Sequence, residues 1–282
     1  INFAHSFHQK KNADDSLFLI DIDKILREKA PKKSKYIPKF VVSYLKHIVH
    51  QEELNVFLRE SKDKVGGIFE ACLEFLDANI VVKGEENLPK EGLYTFVSNH
   101  PLGGQDGVAL GYVLGSFLWR QGEIYGQRPA DEPARTGAAL HPHQQDGKAA
   151  KDFPRMVEAG FASDNQLIMF PAGLLFSRQN GVIRDLDWKK TFIVKSVEAH
   201  RDVVPIHFER AELNFFYNLA NLCKILGVKF NIAMLYLADE MLKNRHKNIY
   251  YHHREAIPWQ TFDKSKSPAG WAQYVKDIVY KL

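Results

Sequence analysis

From residue 80 onward, short apolar runs alternate with longer amphipathic ones, and that alternation leaves few architectures open. Runs rich in β-branched and aromatic residues at 80–83, 93–98, 165–170, 203–208 and 228–236 have the length and composition of strands. Segments at 107–120, 151–161, 190–199, 213–225 and 268–281 carry helical spacing. Strands that alternate with helices bury their apolar faces best in layers, so the pattern predicts an α/β fold, a mixed sheet flanked by helices. Phe170-Pro171 closes one apolar run, which places Ala172-Gly173 at the C-terminal end of a strand, where ligand sites in such sheets gather.

The first 79 residues differ and read as a helical region, leaving 80–282 as the α/β domain. Ile37, Phe40, Val41, Tyr44, Leu45, Ile48 and Val49 recur at helical spacing and form one stripe. Leu54, Phe57 and Leu58 open a second helix, and Val65 to Leu76 form a third. Net charge is +4 overall, but residues 1–50 hold ten Lys/Arg against five Asp/Glu. Lys29, Lys32, Lys33, Lys35 and Lys39 fall within eleven positions. Two uses of the stripe stay open, a packing face on the rest of the chain or docking to an anionic membrane. Docking would be through Lys32, Lys33, Lys35, Lys39, Phe40 and Tyr44. No stacking-aromatic motif accompanies the basic cluster, which argues against nucleic acid. No stretch of 18 uncharged apolar residues and no signal-peptide pattern occurs, so a cytoplasmic protein, peripheral on the inner face of a membrane, is expected. Cys72 and Cys223 sit among apolar residues and read as core fillers.

Chemistry concentrates at residues 93–108, Leu-Tyr-Thr-Phe-Val-Ser-Asn-His-Pro-Leu-Gly-Gly-Gln-Asp-Gly-Val. The apolar run stops at Ser98-Asn99, and His100 follows at once. Pro101, Gly103 and Gly104 bend the chain before Asp106 opens a helical run. His100 and Asp106 can therefore fold back on each other as a general base and its orienting carboxylate. No Gly-x-Ser-x-Gly elbow supplies a nucleophile, so the base suits a hydroxyl on a substrate. A plainer pair of roles is also open, with Asp106 capping the helix and His100 an ordinary loop histidine. His141-Pro142-His143 and His252-His253 lack ligand spacing, and no metal is expected.

Asn99-His100-Pro101 through Asp106 resembles the first motif of the PlsC-like glycerolipid, or lysophospholipid, acyltransferase superfamily. Ile168-Met169-Phe170-Pro171-Ala172-Gly173 resembles its Phe-Pro-Glu-Gly block, and Val203-Val204-Pro205-Ile206-His207 its Val-Pro-Ile strand. Ile80 to Gly84 with Leu88-Pro89 resembles the strand and turn before the His motif. The Phe-Pro-Ala-Gly variant, with Ser177-Arg178 and Asp185 to Lys190 after it, is similar to a bacterial haemolysin-like branch, some members of which acylate amino-acid lipids. The resemblance implies transfer of a fatty acyl group from acyl carrier protein or coenzyme A to the hydroxyl of a lyso-lipid, without a bound cofactor. His100 and Asp106 would be catalytic, and Asn99, Gly103, Gly104, Phe170, Pro171, Ala172, Gly173, Ser177 and Arg178 would contact substrate. Departures are specific. Five residues separate His100 from Asp106 where the family has four, Ala172 stands where it has glutamate, and its phosphate-holding Phe-x-x-Arg has no counterpart at 110–150. A monoacylated amino-acid lipid is therefore expected as acceptor, with lysophosphatidate acylation or a non-catalytic membrane-binding protein as alternatives. Residues 127–150 read as an irregular loop, and Tyr250 to Glu255 departs from the strand the family places there.

Overall fold

The structure, a computed structural model, describes residues 19–29, 31, 34–61, 67–89, 91–100, 106, 109–114, 139–140, 148–172, 177–179, 182–184, 187–209 and 236–281. At 29, 67–69, 139–140, 148–153, 177–179, 182–184 and 237 it describes the backbone alone. By its contacts the chain forms two units: Ile1–Ala78 with Glu212–Lys247, and Asn79–Ala211 with Asn248–Leu282. The sequence pattern alone assigns all of 80–282 to one domain, whereas 212–247 group with the N-terminal helices.

The second unit is built on a six-stranded mixed sheet in the order β1-β8-β7-β2-β4-β3. Its strands are β1 (Asn79–Lys83), β2 (Tyr94–Ser98), β3 (Ala139–Leu140), β4 (Leu167–Met169), β7 (Asp202–Phe208) and β8 (Asn248–His253). A separate two-stranded ribbon pairs β5 (Ser177–Gln179) with β6 (Val182–Arg184). Central β2 lies parallel to β7 on one side and to β4 on the other, with Phe96 opposite both Val204 and Ile168. These strands read as unbroken apolar runs because both of their faces are buried. One face presents Val97, Leu167, Met169 and Val203 to Phe192 and Ile193 and to Trp271, Val275 and Val279. Those partners lie on the Thr191–Glu198 and Pro268–Tyr280 helices. Ser267 caps the latter, its Oγ accepting from Gly270 N at 3.1 Å, with Pro268 in the first turn where no N–H is needed. Arg201, almost wholly buried, donates to the Phe161, Ser163 and Asn165 carbonyls at the end of the Lys148–Phe161 helix. It neutralises a helix C-terminus with a cation.

Two segments differ from the sequence expectation. Ala139-Leu140, inside the supposed loop, pairs in parallel with β4, and the following helix starts at Lys148. Tyr250 to His253 belongs to β8, parallel to β1 and antiparallel to β7. Its Ile249, Tyr251 and His253 point inward while Asn248, Tyr250 and His252 alternate outward. Tyr and His on both faces hide that period in the sequence. Pro205 stands in an interior strand, a position usually closed to proline. The missing N–H falls where β8 has just ended, and pairing resumes between Val203 and Ile257. Gly84, with φ of +74°, needs its bare Cα because a Cβ would stand 2.4 Å from the His253 carbonyl oxygen.

In the first unit, α1 (Ile22–Lys29), α2 (Lys39–Ile48), α3 (Gln51–Glu60) and α4 (Gly67–Leu76) are joined by the Leu237–Lys243 helix. Ile20, Ile22, Ile48, Val49, Leu54 and Leu58 form its core, with Val42, Leu45, Tyr236 and Met241 packed around them. Asn55 reaches across to Ile20, accepting from its N–H at 2.7 Å and donating to its carbonyl at 2.9 Å. Tyr236 lies at the start of a helix, not in the strand expected at 228–236, and 213–225 lies outside the described residues.

His207 and His253 are buried in the second unit, and burial, aided by neighbouring His252, lowers each pKa from 6.5 to about 4. Among the described residues neither ring nitrogen of His253 has a hydrogen-bond partner. Both imidazoles are thus neutral in the folded state at pH values where the unfolded chain protonates them. Stability from this source is intact above pH 6.5 and falls as pH drops toward about 4. The expected loss is about 1.4 kcal/mol per pH unit per histidine. Urea midpoints measured from pH 7 to pH 4.5 should show this fall, and His253→Leu should flatten it; an unchanged profile in that variant would refute the assignment.

Candidate active site

The site forms where β2 runs out. Register with β7 ends at Ser98 opposite Ile206, and the chain would be released there. Asn99 instead carries the pairing one step further with its side chain. Its Nδ2 donates to the Phe208 carbonyl at 2.9 Å, and its Oδ1 accepts from the Phe208 N–H at 2.7 Å. A side-chain amide has the donor and acceptor spacing of a peptide group, so it substitutes for one more residue of strand. The residue expected to bind substrate is therefore buried, with its amide engaged by the sheet.

His100 follows this clamp at the C-terminal ends of β2, β4 and β7. Its ring lies against Phe170, just beyond β4, with centroids 4.3 Å apart. Asp106 has helical backbone and is completely buried, and helical residues 109–114 bury Ala109, Leu110 and Leu114 behind it. His100 Nδ1 stands 3.1 Å from Asp106 Oδ2. The two residues singled out in the sequence are thus brought together, which capping or loop roles alone would not require. A carboxylate on Nδ1 fixes the tautomer and directs proton transfer to Nε2.

The remaining expected contacts separate. Phe170 touches the histidine ring. Pro171 accepts a hydrogen bond from Lys189 N at 3.1 Å, and Ala172 belongs to the core cluster with Val97 and Phe192, not to an open surface. Ser177 and Arg178 lie on β5, described in backbone only. Gly103, Gly104 and Gly173, expected to contact substrate, lie outside the described residues. Sequence reasoning missed Tyr251, whose hydroxyl donates to the Asp106 backbone carbonyl at 3.0 Å. No sequence signal marks it, because Tyr and His occur on both faces of β8.

The apolar stripe of α2 splits in two. Val42, Leu45, Ile48 and Val49 pack inward with the helical core. Phe40 and Tyr44, one turn apart, are 74% and 51% exposed, and Tyr36 before them is 85% exposed. Exposed Lys35 and Lys39 flank this aromatic row, while Lys32 and Lys33 lie outside the described residues. Among the described residues no helix is long and apolar enough to cross a membrane.

A histidine with a carboxylate 3.1 Å from its Nδ1, at the C-terminal ends of the parallel strands β2, β4 and β7 of an α/β fold, is an arrangement that can draw a proton from a hydroxyl. Comparison with known proteins then specifies the family. Residues 24–282 match the acyltransferase family, and the chain belongs to it as an acyltransferase. It is 71% identical over 272 residues to a lyso-glycine lipid O-acyltransferase of Bacteroides thetaiotaomicron, covering 95% of this chain and 99% of that one. It is 64% identical over 273 residues to a lyso-glycine lipid O-acyltransferase of Phocaeicola vulgatus, covering 96% and 98%. A solved structure, the 1-acyl-sn-glycerophosphate acyltransferase PlsC of Thermotoga maritima, aligns over 85% of this chain and 86% of that one. Its TM-score is 0.40 and its identity 15%.

The Asn99 clamp yields a direct test. Asn99→Ala strands a buried N–H and a buried carbonyl on Phe208, at about 1–3 kcal/mol for a group so orphaned. A clear drop in denaturation midpoint is expected, and an unchanged midpoint would exclude the clamp as a stabilising contact.

Proposed function

We propose that this chain transfers a fatty acyl group from an acyl thioester to the hydroxyl of a lyso-lipid, and that the acceptor is a lyso-glycine lipid. The observation that carries the chemistry is the 3.1 Å contact between His100 Nδ1 and Asp106 Oδ2 at the end of the sheet. The similarity to lyso-glycine lipid O-acyltransferases over nearly the whole chain supports the acceptor.

His100 Nε2 takes the proton of the acceptor hydroxyl as its oxygen attacks the thioester carbonyl. Asp106 holds the resulting imidazolium. Collapse of the tetrahedral intermediate breaks the carbon–sulfur bond, and the imidazolium returns its proton to the departing thiolate, leaving an ester and a free thiol. General-base assistance of this kind is worth roughly 10²–10⁴-fold. Acyl carrier protein or coenzyme A supplies the thioester. A glycine head group ends in a single carboxylate, which one arginine can hold bidentately, and Arg178 on β5 is the candidate. A phosphate monoester would call for more cationic donors.

His100→Ala should abolish transfer in folded protein, and Asp106→Asn should lose most of it by releasing the wrong tautomer. Purified enzyme with one acyl thioester, offered lyso-glycine lipid and lysophosphatidate in parallel, should show the higher kcat/KM for the glycine lipid. Full activity in His100→Ala would overturn the mechanism, and preference for lysophosphatidate would overturn the acceptor.

Tyr36, Phe40 and Tyr44 with Lys35 and Lys39 support peripheral docking to the inner face of an anionic membrane, where the acceptor resides. Each basic residue near such a surface adds about 1 kcal/mol, and salt screens it. Flotation with phosphatidylglycerol-containing vesicles should weaken as salt rises and in Phe40→Ser. Equal flotation of Phe40→Ser and the parent protein would exclude the aromatic row as the contact.

A further inference from the structure

The dyad is bracketed by two contacts to the far side of the sheet, and only one of them lies in the segment that resembles the family motif. On the His100 side, Asn99 grips the Phe208 backbone in both directions. On the Asp106 side, the Tyr251 hydroxyl reaches the Asp106 carbonyl at 3.0 Å. The two grips meet, because Tyr251 is the register partner of Phe208 and their rings pack edge to face at 4.6 Å and 89°. His100, Asn99, Phe208, Tyr251 and Asp106 therefore form a closed circuit of contacts, with the 3.1 Å pair completing it.

We propose that Tyr251 is a positioning residue for the dyad: its hydroxyl holds the Asp106 main chain against β8 so that the carboxylate meets His100 Nδ1. The proposal rests on the assignment of His100 and Asp106 as base and orienter. Its physical ground is that Asp106 is fixed only if its backbone is, since a carboxylate on a loose main chain samples several directions. Tyr251 is suited to the task. It is completely buried, its ring is oriented by Phe208, and it sits on a strand paired on both sides, β1 and β7. Burial, with the Asp106 carboxylate nearby, raises its pKa well above 10, so the phenol remains a donor throughout the working pH range.

Tyr251→Phe removes the hydroxyl alone and keeps the packed ring. Single-turnover acylation with enzyme in excess keeps slow variants measurable. A displacement of about 1 Å at a catalytic group can cost 10²-fold, so a fall in the acylation rate of about ten-fold or more is expected. KM for donor and acceptor and the melting temperature should stay near those of the parent. On an Asp106→Asn background the same change should lower the rate no further, because the group it positions is gone. Phe208→Leu, which removes the ring that orients Tyr251, should also lower the rate at unchanged KM. Tyr250→Phe, a hydroxyl lost from the opposite face of the same strand, should leave the rate unaltered.

A parent-like rate in Tyr251→Phe, a loss confined to melting temperature, or losses that multiply with Asp106→Asn would each overturn the proposal. Full activity in His100→Ala would instead remove the dyad on which it rests, so the two failures are distinct.

Discussion

Parallel pairing of β2 with β7, prolonged by the Asn99 amide onto Phe208, is the constraint from which the site derives. Backbone hydrogen bonding normally ends with the strand, and the next residue is free to wander. Here the rung made by a side chain keeps the chain in register for one more position. His100 therefore leaves the sheet from a fixed point and in a fixed direction. The same device recurs in the second unit, where Gln166 accepts from Tyr94 N at 2.8 Å and donates to the Gly92 carbonyl at 2.7 Å. Amide side chains thus guard both ends of β2. They are short, uncharged and able to donate and accept at once, which suits an interior where a charge would be costly.

Asp106 is the exception to that preference, a carboxyl group with no exposure. Burial of a charge is tolerated only with compensating partners. His100 Nδ1, 3.1 Å from Oδ2, is one such partner, so the residue that orients the base is itself held by the base. His207 and His253 are buried in the same unit. There burial, aided by neighbouring His252, drives both imidazoles to the neutral form, at His207 even against the pull of the Glu209 carboxylate.

Much of this was legible in the residues. β2 and β7 announce themselves as apolar runs because both faces are covered, and the helices 151–161, 190–199 and 268–281 lie within a few residues of those observed. His100 and Asp106 stood out because a glycine-rich bend joins a strand end to a helix start. What escaped notice depends on long-range contacts. Ala139-Leu140 is too short to show a period and becomes a strand only by resting on β4. β8 combines Asn, Tyr and His outward with Tyr and His inward, and hydropathy cannot separate its faces. Asn99 reads as a site residue because it precedes the histidine, yet its partner lies 109 positions away. The α2 stripe reads as one face, and only packing shows that half of it turns inward.

β1 and β8, side by side at one edge of the sheet, are separated in sequence by the whole interval from Lys83 to Asn248. Between β7 and β8 the chain also departs to build part of another unit, residues 212–247, before returning. Loop closure of that span is entropically costly before any contact rewards it. The strand that carries Tyr251 is therefore expected to dock late in folding. A nascent or partly folded chain can hold β2, β4 and β7 together and display His100 while Asp106 still lacks its anchor. Competence would then arrive in one step with the final strand, so that incomplete molecules stay catalytically silent instead of partly active.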